Sequence, residues 1–357
     1  DLAKSRRWAR LLIGLVFGYT IYRTNFCTMG SISDFVSFGD WRRFRAWILA
    51  ATVALLGAQA LQVLGFLPIE KSMYLSTNFN WLGNLLGGLM FGFGMVLAGG
   101  CASRNLARVG GGDLRSLVVL LVLGVFAYMA IGGLLGPARN WLEQATAINL
   151  RSFGLQTQSI GAVASKLTGM DLSRTDFLVG LIVAAVALAY CFRDEAFRTS
   201  PSHILAGVGV GLCAAAGWAV TGLAFDELAD KPVAPISLTY VRPTGDALEW
   251  LQRFTAGMIP GFGVASVFGA ILGAFIAAVQ MGRLQITTFS GTGDTVRNLA
   301  GAALMGIGGV MALGCTIGQA VTGVSTLAIG SFLTFAAIVI GGILGMKFME
   351  RLLTAET

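Results

Sequence analysis

Five cysteines carry most of the reactive chemistry of this chain: Cys27, Cys101, Cys191, Cys213 and Cys315. None lies in a Cys-x-x-Cys pair, and the single histidine, His203, has no partner. Zinc, haem and iron–sulfur centres therefore lack a ligand set, and neither a metal nor any other cofactor is expected. Cys191 and Cys213 fall within apolar or small-residue runs and read as packing residues. The other three keep polar company. Cys27 ends Tyr22-Arg-Thr-Asn-Phe-Cys. Cys101 follows Gly99-Gly100 and precedes Ser103-Arg104-Asn105. Cys315 follows Gly314 and precedes Thr316-Ile317-Gly318-Gln319. Each of these thiols is expected to face a cavity. Arg23, Arg104 and Arg108 add positive charge nearby, although Arg104 and Arg108 also suit the cytoplasmic end of a span. A cationic cavity lined by thiols suits an anion with a soft sulfur atom. Asn25, Asn105 and Gln319 have side chains that can hydrogen-bond its oxygens.

Two of these cysteines close copies of one segment. Asn84–Cys101 and Asn298–Cys315 agree at nine of 18 positions, among them Gly87/Gly301, Gly92/Gly306, Gly94/Gly308 and Gly100/Gly314. Corresponding glycine-interrupted apolar segments in two halves of a membrane protein point to a shared site between the halves.

The elements that must position these residues are membrane helices. Hydrophobic residues make up 55% of the 357 residues and charged residues 12%, about half the charged share of a soluble domain. Mean hydropathy is +0.75. This composition excludes a soluble enzyme and predicts an all-α integral membrane protein embedded in a lipid bilayer. The 49 glycines suit closely packed or broken helices. A net charge of +7 reflects Lys and Arg that set topology; no nucleic-acid partner is expected. No cleavable signal is expected at the start. Because the chain opens on Asp1 without methionine, a few residues are expected to precede it.

Predicted spans are 46–67, 81–100, 114–136, 177–192, 203–224, 254–280, 298–314 and 328–348, and Pro260-Gly261 predicts a break inside 254–280. Basic clusters before and after 11–38 predict that this stretch enters and returns as a hairpin or re-entrant pair, broken near Arg23–Gly30. About nine transmembrane helices with re-entrant segments result, with both termini cytoplasmic. The connections 68–80 and 137–176 and the acidic stretch 226–249 are expected outside. The two copies then run antiparallel, as in two inverted halves, about 1–200 and 201–357, of one transporter domain. Gly100 and Gly314 are expected to break the helices. The backbone after each cysteine is expected to be non-helical and buried or cavity-lining. Gly110-Gly-Gly-Asp113 reads as a plain loop, with anion binding as the alternative, and His203 as an interfacial residue at a helix start.

At this point the motifs become specific. Arg-x-Asn-Phe-Cys at 23–27, Gly39-Asp40, Leu-Ala-Gly-Gly-Cys-Ala-Ser-Arg-Asn at 97–105 and Leu-Gly-Cys-Thr-Ile-Gly-Gln at 313–319 resemble the YeeE/YedE family of sulfur transporters. The resemblance covers essentially the whole chain. It implies a bacterial inner-membrane protein of hourglass cross-section that imports thiosulfate, without enzymatic activity, along a relay of three cysteines: Cys27, Cys101 and Cys315. Arg23, Asn25, Ser103, Arg104, Asn105, Thr316 and Gln319 would support substrate binding. A small cytoplasmic TusA-like sulfur carrier or rhodanese-like protein is the implied partner. Alternatives are transport of a selenium compound, or a membrane sulfurtransferase forming a persulfide at a cysteine near Arg104.

Overall fold

The computed structural model describes residues 2–227, 234–257 and 259–356 and is predominantly helical. The first part comprises α1 (Leu2–Thr24), α2 (Thr28–Phe38), α3 (Arg42–Val63), α4 (Trp81–Leu97), α5 (Ala102–Gly110) and α6 (Leu114–Ile131). Next come the short α7 (Gly136–Thr146) and α8 (Ile160–Thr168), the long α9 (Leu172–Arg193) and the single turn α10 (Glu195–Arg198). The remainder comprises α11 (Pro201–Gly222), α12 (Arg242–Gln252), α13 (Phe262–Gln280), α14 (Thr292–Met311) and α15 (Ile329–Glu356). Among the described residues, seven helical stretches are long and apolar enough to cross a bilayer. They are Arg42–Val63, Trp81–Gly110, Leu114–Ile131, Leu172–Arg193, Pro201–Gly222, Phe262–Gln280 and Ile329–Leu352. The helix starts follow the local sequence. The side chains of Asn80, Asp113 and Ser159 accept backbone N–H groups at the heads of α4, α6 and α8, satisfying donors that a helix leaves open.

Glycines set how closely the helices approach. A Cβ on Gly87 would meet the Gly308 carbonyl at 2.6 Å, and one on Gly94 would meet the Gly301 carbonyl at 2.7 Å. The two sequence copies, α4 and α14, therefore lie backbone to backbone and antiparallel. Gly88 abuts Ala337 and Gly345 abuts Val96, so α4 and α15 run parallel. On the other side of the bundle Gly14 and Gly18 lie against Ser266 and Ala270, which makes α1 and α13 parallel. The pair α3 and α11 is likewise parallel, with Gly207 against Ala46 and Gly57 against Ala215.

These contacts correct the expected start of the chain. Residues 11–38 form no hairpin with both flanks on one face. α1 is one continuous 23-residue helix, and the break falls at Asn25, whose φ is 54°. Thr20, near the end of α1, lies beside Gly209 near the start of α11, and Tyr22 lies beside Gly111 after α5. The end of α1 therefore shares a face with Arg42, Arg43 and Arg45, and its start lies at the opposite end of the bundle. Arg10 accordingly lines a cavity with Arg139 and Arg242. We call the two ends the Arg42 face and the Arg242 face. The end of α15 lies on the Arg42 face, so the two termini lie on opposite faces and cannot both be cytoplasmic. The basic cluster before α1 misled the count because Lys and Arg bias topology without dictating every end.

Two further expectations change, and two connections gain detail. Pro260 and Gly261 precede α13 instead of breaking it, since proline fits the approach to a helix better than its interior. The segments 68–80 and 137–176 are partly ordered: Asn78–Phe79 pairs antiparallel with Ile148–Asn149. The stretch expected outside at 226–249 contains a buried irregular run, Ser237–Val241, followed by α12; residues 228–233 of that call lie outside the described residues.

Candidate functional site

The three cysteines with polar neighbours occupy equivalent local positions: each is buried and heads a short helical segment. After Asn25, Phe26 packs on Trp47 with ring centroids 4.3 Å apart. Cys27 then caps α2, its Sγ accepting the Gly30 N–H at 3.4 Å. α4 ends at Leu97; Gly99 takes φ 69° and the Gly100 N–H reaches back to the Met95 carbonyl at 2.8 Å. Cys101 follows at the head of α5, its Sγ 3.3 Å from Ser103 Oγ. α14 ends the same way, with Leu313 at φ 56° and the Gly314 N–H on the Gly309 carbonyl at 2.8 Å. Cys315 comes next, and its Sγ accepts the Gly318 N–H at 3.4 Å.

The helix breaks thus sit one residue earlier than expected, at Gly99 and Leu313 and not at Gly100 and Gly314. Leu313 shows that the turn overrides the usual preference for glycine in this conformation. The backbone after each cysteine is also helical where irregular chain was expected: α5 follows Cys101, and a π-helical stretch, Gly318–Gly323, follows Cys315. Its burial is as required, because both segments are enclosed by protein. In such surroundings the polar residues Ser103 and Asn105 can face inward without meeting lipid.

Cys101 lies within electrostatic reach of both Cys27 and Cys315. Arg104 and Arg108 lie within reach of Cys27. Among the described residues neither arginine has a carboxylate within salt-bridge distance. Polar side chains around the sulfurs are only partly used. Asn105 Nδ2 donates to the Gly100 and Cys101 carbonyls at 2.8 and 3.1 Å, while its Oδ1 is buried without a partner. Gln319 donates to the Ala312 carbonyl, and its Oε1, like Thr316 Oγ1, is buried and unpartnered. Buried polar atoms normally find partners, so these groups remain free to meet a polar solute.

Two expected site residues, Arg23 and Asn25, are exposed at the end of α1. Arg23 donates to the Tyr19 hydroxyl at 2.7 Å, and that hydroxyl donates to Gln280 at 2.8 Å. Cys191 donates to the Arg45 carbonyl at 3.4 Å, and Cys213 is buried in α11. His203 sits in the first turn of α11, 2.6 Å from Ser200 Oγ. The N–H groups of Gly111, Gly112 and Asp113 are all taken up by carbonyls of α5, so that loop presents none to an anion.

Sequence reading missed the Thr239 and Tyr74 hydroxyls near Cys315. Thr239, in the buried irregular run, places Oγ1 3.9 Å from Cys315 Sγ. The apolar stretch Pro-Ile-Ser-Leu-Thr-Tyr-Val at 235–241, between charged flanks, was the available signal. It also missed a cavity of about 750 Å³ on the Arg242 face, whose wall includes Thr239 and Gly314 and whose polar groups include Arg10, Arg139 and Arg242.

This arrangement has relatives. A protein thiosulfate transporter TsuA of Spirochaeta thermophila is 26% identical over 337 residues, covering 94% of this chain and 96% of that protein. The thiosulfate transporter TsuA of Escherichia coli is 29% identical over 323 residues, 87% and 85% of the two chains. The probable transporter YedE of Escherichia coli matches more locally, 33% over 105 residues. The family model for sulphur transport matches residues 23–344. With that match over most of its length, the chain belongs to the sulphur-transport family of YeeE/YedE proteins.

Proposed function

We propose that this protein imports thiosulfate, or a closely related inorganic sulfur anion, through a central pathway lined by Cys315, Cys101 and Cys27. The observation that carries this reading is the sequence of neighbours: Cys101 is within electrostatic reach of both other sulfurs, although the three come from distant parts of the chain. The cavity on the Arg242 face is the entrance, and its wall reaches Gly314 beside Cys315. We take as cytoplasmic the Arg42 face, where Arg42, Arg43, Arg45, Arg104, Arg108 and Arg115 flank spans. On this reading α1 and α14 complete nine crossings, and two inverted halves meet near residue 200 in one inner-membrane domain.

Thiols suit the task. Thiosulfate is a dianion with a terminal sulfur, and a neutral thiol is a weak donor. Successive weak contacts bind without trapping, as permeation requires. A thiolate would repel the anion. Ser103, Asn105, Thr316 and Gln319 meet the oxygens, while Arg104 and Arg108 supply positive charge toward the cytoplasm. Importing two negative charges against about 100 mV, inside negative, costs about 4.6 kcal/mol. A cytoplasmic TusA-like or rhodanese-like sulfur acceptor would offset that cost by consuming the product.

Uptake of labelled thiosulfate into cells lacking other importers tests the reading. The intact protein is expected to restore uptake, and Cys101→Ala and Cys315→Ala to abolish most of it at equal membrane levels. Uptake unchanged in both variants would refute the cysteine pathway. A persulfide on Cys101 detected by mass after exposure to thiosulfate would instead favour sulfurtransferase chemistry.

A further inference from the structure

We propose that Thr239 is a specificity-determining residue of the pathway, the counterpart near Cys315 of Cys27 near Cys101. The assignment rests on the transport reading above. It starts from how the short helices pack. α2, entered through Cys27, packs on α3 and α15. α12, entered through Thr239–Val241, packs on α13 and α6. The helices α6 and α15 each follow a cysteine turn, and α3 and α13 each precede a copy of the repeated segment. The run before α12 therefore takes the place in the second half that Asn25–Cys27 takes in the first.

That run is held rigidly. The Ile236 carbonyl accepts Thr221 Oγ1 at 2.7 Å, Ser237 Oγ donates to the Ala214 carbonyl at 2.5 Å, and the Leu238 carbonyl accepts Thr322 Oγ1 at 2.7 Å. Thr239 is 4% exposed, yet it lines the cavity on the Arg242 face. Room for its hydroxyl is made by Gly318, where a Cβ would stand 2.5 Å from Thr239 Oγ1. The residue thus connects the cavity wall to Cys315 Sγ, 3.9 Å away.

A hydroxyl and a thiol side by side are unequal donors. The hydroxyl donates strongly to an oxyanion, whereas the thiol is a weak, polarizable partner for sulfur. The Thr239–Cys315 pair therefore matches an anion with oxygens at one end and a terminal sulfur at the other. Near Cys101 the corresponding position is a second thiol, Cys27, and the arginines stand there instead. The structure thus assigns discrimination between sulfur anions to the cavity end of the pathway.

Thr239→Val keeps the volume and removes the donor; Thr239→Ser keeps the donor and removes a methyl group. In thiosulfate uptake, Thr239→Val is expected to raise the half-saturating concentration about tenfold, the effect of losing one hydrogen bond to a charged group, with the maximal rate retained within about twofold. Thr239→Ser is expected to restore affinity. In membranes, thiosulfate is expected to protect Cys315 from alkylation, read by mass, in the intact and Thr239→Ser proteins but not in Thr239→Val. Should Thr239→Val fail to reach the membrane, Thr239→Ala carries the same expectation. Intact affinity in Thr239→Val with impaired Thr239→Ser would make Thr239 a packing residue and overturn the assignment. Failure of the intact protein to take up thiosulfate would overturn the transport reading itself, and the assignment with it.

Discussion

Arg108 and Arg23 both lie near cysteine-bearing turns of this chain, yet their surroundings differ. Arg108 projects from a buried helix and comes within 3.2 Å of where a Cβ on Gly99 would stand. Arg23 is exposed and held by Tyr19 through both its hydroxyl and its ring, whose centroid lies 5.8 Å away. A charge at membrane depth is costly and earns a functional hypothesis, whereas one at a helix end needs none. Arg108→Gln is therefore expected to lower thiosulfate uptake about tenfold, the effect of losing a charge-assisted hydrogen bond. Arg23→Gln is expected to leave uptake within about twofold, near the noise of a surface change. Comparable loss in both variants would contradict this ranking. The residue types around the cysteines were readable in the sequence; which arginine faces the sulfurs was not, because helix rotation and the end of α1 before Asn25 decide it.

At the level of elements, the repeated segments work through their glycines. α4 and α14 approach until Gly87 meets Gly308 and Gly94 meets Gly301. A side chain at either contact would have to displace backbone, and overpacking of this kind costs about 1–3 kcal/mol. Gly94→Val is thus expected to lower the thermal midpoint of the purified protein in detergent. Gly293→Ala, in α14 with nothing within 4 Å, is expected to leave it unchanged or raise it slightly, since alanine favours the helix. Equal midpoints for both variants would show that this interface does not limit stability. The same elements show where sequence reading stopped short. An apolar run ending in glycine and cysteine announces a helix and its end, and polar residues beyond it exclude lipid. They leave open whether the next segment is irregular or a short buried helix such as α5, because burial satisfies either kind of backbone.

Across the whole molecule, the course of α1 settles the relation between the termini. Leu64, after α3, and Leu284, after α13, are exposed at opposite faces. Measured above the labelling of the native chain, a membrane-impermeant maleimide added to intact cells is expected to label Leu64→Cys and to reach Leu284→Cys only after permeabilisation. A tag fused ahead of α1 is expected to be accessible from the same side as Leu64→Cys. Labelling of both variants from outside would refute the assignment of the Arg42 face to the cytoplasm.

Composition and periodicity were enough to define a helical membrane protein, because an apolar run long enough to cross a bilayer can satisfy its backbone only as a helix or within a closed barrel. The duplicated segment, its glycines and its terminal cysteines were equally legible, since identical residues at one spacing need no structure to be seen. The three-dimensional arrangement was needed for everything that depends on distant segments meeting. It brought Thr239 from an acidic connection to Cys315, left Arg23 and Asn25 exposed, and set the start of α1 opposite Arg42. Local sequence encodes the type of an element through backbone hydrogen bonding and side-chain periodicity. Its neighbours are chosen by close packing among glycines and buried side chains far apart in the chain, and that choice places the cavity wall at Thr239 and Gly314, beside Cys315.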